Sequence, residues 1–354
     1  MALSRRWFIA SLPAACCFGQ SGAKGRVLPS AIKRYADPAT EFPVQRLTDP
    51  AHASFLSGPR AISKHGFLVC ASDVSGRYEA YRIDLKSGQQ KQLTEAAGLD
   101  PHSITLAPDD RGIVYLDGSS LMTANLASLR TREIYKIPEG RALGLALADD
   151  GLYAALIEPA GLKLITMAKG SAETLAEGDD ISDAMPRPKR ASVLYHRGGG
   201  LWLANYDARQ NYRLRVAEGA IGPALWSPDG RSVYYLSYPP DRAHKLHSLR
   251  EFVPDSNEDT AIADTSQFVG IGRNGDASVF AGASGSKASP YVLLLVRTVR
   301  RELTICEHRA SDAAMVSPVF SPNSQRVFFM SDRHGKPAIY SVAVEKLVEE
   351  TETA

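Results

Sequence analysis

Cysteine is scarce in this chain: there are 4 in 354 residues. Cys16 and Cys17 sit in the N-terminal apolar segment, while Cys70 and Cys306 lie within apolar runs of separate units. The latter pair reads as small buried hydrophobes rather than a disulfide, and no metal-ligand spacing links any of the four. Long apolar runs are missing too. The run around Ala10-Ser11-Leu12-Pro13-Ala14-Ala15-Cys16-Cys17-Phe18 is too short for a spanning helix but suits the core of a signal peptide. The net charge is only +2, which leaves no strong field to attract nucleic acid. No Gly-x-Ser-x-Gly elbow and no His-Glu-x-x-His occurs, so serine hydrolase and zincin readings have no support.

What the chain does contain is a repeat. Phe67-Leu68-Val69-Cys70-Ala71 is followed by Ser72-Asp73, a Gly76 turn, the alternating run Tyr78 to Leu85, a second turn at Gly88, and a strand ending in Leu93-Thr94. Period-two alternation punctuated by glycine is the pattern of a small antiparallel sheet. A second copy runs from Phe320-Ser321-Pro322 through Asp332-Arg333-His334-Gly335 to Tyr340-Ser341-Val342. A third centres on Trp226-Ser227-Pro228-Asp229-Gly230, whose last four residues form a tight turn between strands. Weaker copies around Pro108, Gly151, Val193 and Gly275 bring the total to about seven, at the spacing of roughly 40 to 45 residues typical of propeller blades. The fold class is therefore all-β: a seven-bladed β-propeller of four-stranded antiparallel blades. The last unit lacks its fourth strand, and Phe42-Pro43-Val44-Gln45-Arg46-Leu47-Thr48 supplies one from the other end of the chain, closing the ring.

The corresponding domain reading is an export signal over 1–23, a leader over 24–41, the propeller over 42–346 and a polar tail over 347–354. Ser4-Arg5-Arg6-Trp7-Phe8-Ile9 is a twin-arginine pattern, and a chance arginine pair before an ordinary signal is the other reading. Both place the protein in the periplasm or outside the cell, with no transmembrane segment in the mature form. Ser21-Gly22-Ala23 offers a cleavage site, and Leu12-Pro13-Ala14-Ala15-Cys16 offers a lipoprotein box in which Cys16 would carry a lipid anchor.

In a four-stranded blade, the segment leading into the innermost strand and the loop between strands two and three lie at one end of the ring. The Ser-Pro-Asp-Gly turns lie at the other. On this basis Arg60, His102, Arg187, Gln267, His308, Arg333 and His334 are assigned to one mouth, with Arg77, Arg141, Arg197, Arg242, His244, Lys245 and Lys287 adding to its basic character. A basic concave mouth suits carboxylates or phosphates. His102 and Gln267 are expected to point towards the channel, and His308 either binds a ligand or caps a strand end. Asp255-Ser256-Asn257-Glu258-Asp259 reads as a polar loop rather than a calcium loop, since the following Gly and distal Glu are missing.

Ser72-Asp73-x-x-Gly76, Tyr81-Arg82-Ile83-Asp84-Leu85-Lys86-Ser87-Gly88 and Gln92-Leu93-Thr94 resemble the WD40-like repeat of TolB-type periplasmic propellers. The segments Asp37-Pro38-Ala39-Thr40, Val44 to Asp49, Cys306-Glu307-His308 and Phe320-Ser321-Pro322 are similar to oligogalacturonate lyases, propellers with the same repeat. That resemblance implies β-elimination on short pectin fragments: a histidine base, an assisting arginine, and a divalent ion such as manganese held by histidines and a glutamine. For that chemistry, position on the mouth alone makes His102 the candidate base, with Arg187 and Arg333 countering the uronate carboxylate and Arg60, Gln267, His308 and His334 in the substrate site. The chain departs from the family where two histidines and a glutamine are expected before the last Phe-Ser-Pro strand. It has Asp312-Ala313-Ala314-Met315-Val316-Ser317 there, so the expectation is a carbohydrate-binding propeller without a cofactor, or with a divalent metal only at an altered site. The alternative is a TolB-like, non-catalytic scaffold that grips another envelope protein through aromatic anchors such as Tyr238 and Tyr291.

Overall fold

The computed structural model describes residues 23–240 and 246–348. The signal, the twin-arginine pair and Cys16 lie outside the described residues, as do Arg242, His244 and Lys245. Seven antiparallel sheets follow one another along the chain. Six blades span 54–92, 105–136, 144–177, 181–213, 220–265 and 268–307. The seventh joins Val319–Phe320, Arg326–Ser331 and Ala338–Ala343 to Pro43–Arg46, with Val44 opposite Val342 and Arg46 opposite Tyr340.

Strands such as Val233–Tyr238 and Arg326–Ser331 are buried on both faces because each blade is sandwiched between two others. The core is accordingly divided into layers between blades, one of them formed by Val292, Leu294 and Ile305 of blade 6 with Val44, Phe329 and Tyr340 of blade 7. Ser-Pro-Asp-Gly behaves as its composition predicts. The Gly230 N–H donates to the Ser227 carbonyl at 3.0 Å, and the Asp229 carboxylate accepts from Ser227 Oγ at 2.7 Å and from the Arg231 N–H at 3.0 Å. Cys70 and Cys306 are free and buried, and burial pushes the Cys70 thiol up to about 12.

The segment 24–41, read as a leader, is built into the ring. Val27–Leu28 adds a fifth strand to blade 1, opposite Gln90 and Lys91, and Lys33–Ala36 adds a fifth to blade 7 by pairing with Pro43–Arg46. Two outer edges are thereby covered.

The first strands of neighbouring blades pack together around the axis, and glycine permits the closest approach. A Cβ on Gly272 would lie 2.1 Å from the Pro318 carbonyl oxygen, a backbone atom that cannot rotate away. Gly272→Ala is therefore expected to lower the unfolding free energy by about 1–3 kcal/mol, the usual cost of overpacking. A denaturant midpoint equal to that of the parent would contradict the packing.

Candidate functional site

The antiparallel order fixes which loops share an end. The upper end carries the connections between blades and the loops between second and third strands. The lower end carries the loops between first and second strands.

His102, Gln267, His308, Arg333 and His334 all lie on upper-end connections, as the sequence implies. His102 precedes the first strand of blade 2, Thr105–Leu106. Its exposed imidazole rests against the ring of Phe55 at a centroid distance of 4.7 Å, and its backbone N–H donates to Asp100 Oδ1 at 2.9 Å. Gln267 bridges blades 5 and 6 in a left-handed conformation, φ 57°. Its N–H donates to the Thr265 carbonyl and its own carbonyl accepts from the Gly285 N–H, both at 2.8 Å.

Arg60 and Arg187 are at the opposite end. The first strand of blade 1 is only Ser54–Phe55, so Arg60, in the short 3-10 helix Pro59–Ala61, follows it rather than leading into it. Its guanidinium donates to the Ala148 carbonyl at 2.8 Å and meets Asp149 at 3.2 Å. Arg187 follows the first strand of blade 4, Ile181–Pro186. It is buried, donates from Nε to the Gly230 carbonyl at 2.6 Å, meets Asp255 at 3.2 Å and lies over the Trp226 ring at 5.1 Å. Neither can counter a carboxylate at the upper mouth. The Asp255 carboxylate is shared with Arg190, also at 3.2 Å, so this polar loop anchors two arginines.

Three residues have the expected end but a different direction. His308 is 1% exposed; its Nε2 meets the Ser284 carbonyl at 3.0 Å and its Nδ1 accepts from the Ala310 N–H at 3.1 Å. Burial holds its pKa below the usual imidazole range, and the neutral ring closes off a chain turn between blades 6 and 7. Arg333 turns outwards, donating to the Glu307 carbonyl at 2.7 Å and lying 3.8 Å from the buried Asp37 carboxylate. His334 bonds the Tyr340 hydroxyl through Nδ1 at 2.9 Å. These three belong to the flank between blades 6 and 7.

The mouth is also less basic than its composition implies. Arg77 is paired with Glu79 at 2.8 Å, Arg197 with Asp180 at 3.1 Å and Lys336 with Asp73 at 2.9 Å. Arg141, exposed on the connection into blade 3, makes no ion pair among the described residues; a Cβ on Gly98 would lie 3.1 Å from its Nη2.

Two imidazoles escaped the sequence reading. His196, on the second strand of blade 4, pairs with Ser182 at a bulge where Asp183 adopts φ 50°. Its Nε2 is buried with no hydrogen-bond partner; burial lowers its pKa and the Asp183 charge partly offsets that. His247 packs on Tyr238 at 4.2 Å and bonds the Phe268 carbonyl through Nδ1 at 2.7 Å. Tyr238 in turn covers Gly222, where a Cβ would stand 2.3 Å from the phenol oxygen. The absence of a side chain at Gly222 was the available signal.

Before blade 7, the 3-10 helix Ala313–Val316 replaces the expected ligand set. Asp312 Oδ1 accepts from the Ala314 N–H at 2.9 Å, Met315 packs on the core and Ser317 Oγ donates to the Ala314 carbonyl at 3.3 Å. Among the described residues no three His, Cys, Asp or Glu side chains converge as an ion site. A thioether, a methyl pair and a committed carboxylate do not fit a hard divalent ion.

The oligogalacturonate lyase family model matches residues 22–149. The chain is 25% identical to an oligogalacturonide lyase of Pectobacterium atrosepticum, covering 91% of this chain and 98% of that protein. It is 24% identical to an oligogalacturonate lyase of Dickeya dadantii over the same shares. A solved oligogalacturonate lyase in complex with manganese superposes with a TM-score of 0.84 at 21% identity, covering 91% of this chain and 98% of that one. No helix among the described residues is long and apolar enough to cross a membrane. With seven blades closed by the N-terminal strand and this chain-long likeness, the protein is a β-propeller similar to oligogalacturonate lyases.

Proposed function

We propose that the protein acts outside the cytoplasm and binds uronate-rich, pectin-derived oligosaccharides at the upper end of its channel, with β-elimination as the chemistry the site would perform. The observation that carries this reading is the likeness to an oligogalacturonide lyase along 91% of the chain. The twin-arginine pattern at Arg5-Arg6 supports export.

His102 is the base in this proposal. It is exposed at the mouth, and the adjoining Phe55 ring offers an apolar face to a sugar. As neutral imidazole it takes the proton from the carbon bearing the carboxylate; the released electron pair forms a C=C bond while the neighbouring glycosidic C–O bond breaks, and the departing oxygen is protonated. Arg141 is an exposed guanidinium at the same end and takes over the charge-countering role expected of Arg187 and Arg333. No step is routed through a metal.

His102→Ala is expected to reduce turnover of galacturonate oligomers at least about 100-fold, the scale of a lost general base, with an unchanged melting temperature. Unsaturated product is followed by its ultraviolet absorbance and binding by calorimetry. Undiminished turnover would exclude His102 as the base. Binding heat without absorbance would keep the receptor role and remove the lyase role, and the loss of both signals would remove the reading altogether.

A further inference from the structure

The strands that close the ring also gather cations that the channel does not use. Lys33 stands opposite Arg46, and Arg46 opposite Tyr340. Directly paired residues share a sheet face, so an ammonium, a guanidinium and a phenol form one row on the flank of blade 7 that meets blade 6. Tyr35, two residues from Lys33, lies on the same face.

Arg46 is 8% exposed, forms no ion pair among the described residues, and its Nε has no hydrogen-bond partner. The Tyr35 hydroxyl is likewise buried without a partner. His334 packs edge-on to Tyr35 at 5.6 Å and over Tyr340 at 5.9 Å, and the Arg333 guanidinium lies over the Tyr35 ring at 5.5 Å.

The nearby carboxylates are already engaged. Asp37 Oδ1 accepts from the Ala39 and Thr40 N–H groups and from Thr40 Oγ1, while Oδ2 accepts from the Glu307 N–H and faces Arg333. Glu307 pairs with Arg309 at 2.5 Å, and Asp332 accepts from the Ser311 N–H and hydroxyl. Of the cations Lys33, Arg46 and Arg333, only Arg333 meets a carboxylate among the described residues, the already satisfied Asp37. Burial lowers the His334 pKa, and Arg333, Arg46 and Lys33 lower it further, which shows a surplus of positive charge around the ring. A largely buried guanidinium without a counter-charge is costly unless something completes it.

We propose that this flank pocket binds an oxyanion, a sugar-acid carboxylate or a phosphate, between Arg46, the Tyr35 hydroxyl and His334. A guanidinium and a phenol hydroxyl left without partners on one sheet face would give an anion the charge-assisted hydrogen bonds that the protein leaves unmade. The pocket is separate from the channel mouth and independent of the function proposed for it.

The test uses the mature protein carrying His102→Ala, so that no turnover occurs, and the His334 resonance together with the Arg46→Gln and Tyr35→Phe variants separates binding at this flank from binding at the mouth. Galacturonate and inorganic phosphate are titrated separately at fixed ionic strength, with calorimetry and the His334 imidazole resonance as readouts. The expected result is binding of one or both anions with an upward shift of the His334 titration. Arg46→Gln should weaken it by at least about tenfold and Tyr35→Phe by about threefold, as for a charged and a neutral hydrogen bond. Binding of phosphate alone, galacturonate alone or both supports the site and identifies its ligand. Absence of both, or parental affinity in Arg46→Gln, overturns it. Should Arg46→Gln fail to fold, Tyr35→Phe decides, because it keeps the ring and removes only the orphaned hydroxyl: unchanged affinity there rejects the pocket.

Discussion

Val44→Asp is expected to leave no soluble, cooperatively folded protein. Val44 is 1% exposed, pairs with Val342 and packs with Val292, Phe329 and Tyr340 in the layer between blades 6 and 7. An unpaired carboxylate there costs several kcal/mol, a large share of the 5–15 kcal/mol that holds a typical domain together. The damage also spreads beyond one contact. Detaching Pro43–Arg46 uncovers the edge of Ala338–Ala343, whose residues are buried except for the last, and an exposed apolar edge invites pairing with other chains. Size-exclusion chromatography and a thermal melt are the measurements, with Arg34→Asp as the control: Arg34 is exposed on the outermost strand of the same blade, and its change should stay within about 0.5 kcal/mol. A parental melting curve for Val44→Asp would disprove the closure.

Arg187→Ala should destabilise the protein by about 3 kcal/mol, without a specific effect on ligand binding at the upper mouth. The loss combines a charge-assisted hydrogen bond to the Gly230 carbonyl with the stacking on Trp226. Asp255 is half exposed, so water can solvate it once the arginine is gone, and its pairing adds little. Denaturant titration gives the stability change, and calorimetry with galacturonate oligomers gives the binding. Weakened binding at full stability would return Arg187 to the ligand site and contradict its position at the lower end.

The blade repeat was legible because each unit spells out its own turn. Ser-Pro-Asp-Gly dictates a reversal wherever it falls, and an unfinished last unit demands a strand from elsewhere. The ends of the ring were harder to read. Strand one of blade 1 is just two residues long, and strand one of blade 4 begins five residues before Pro186 and contains a bulge, so Arg60 and Arg187 fall past the strand instead of before it. For His308 and Arg333 the end was right, but side-chain direction depends on neighbours far along the chain, the Ser284 carbonyl and the Asp37 carboxylate. Arg46 drew no attention in sequence because its row with Lys33 and Tyr340 exists only once the two ends of the chain have paired. Charge compensation at the mouth was equally hidden, since partners such as Lys336 and Asp73 sit in different blades.

Closure by the N-terminal strand also sets a clock. The strand that seals the propeller is made before blades 1 to 6, whereas its partner, Ala338–Ala343, is made after them. Until blade 7 has been made, Pro43–Arg46 cannot dock on Ala338–Ala343, and blades 1 to 6 can only stack as an open arc. Contacts between such remote segments slow folding because a large loop must close before they form. Completion of the ring therefore waits until the last blade has been made, and a truncation that removes that blade leaves Pro43–Arg46 paired only with Lys33–Ala36.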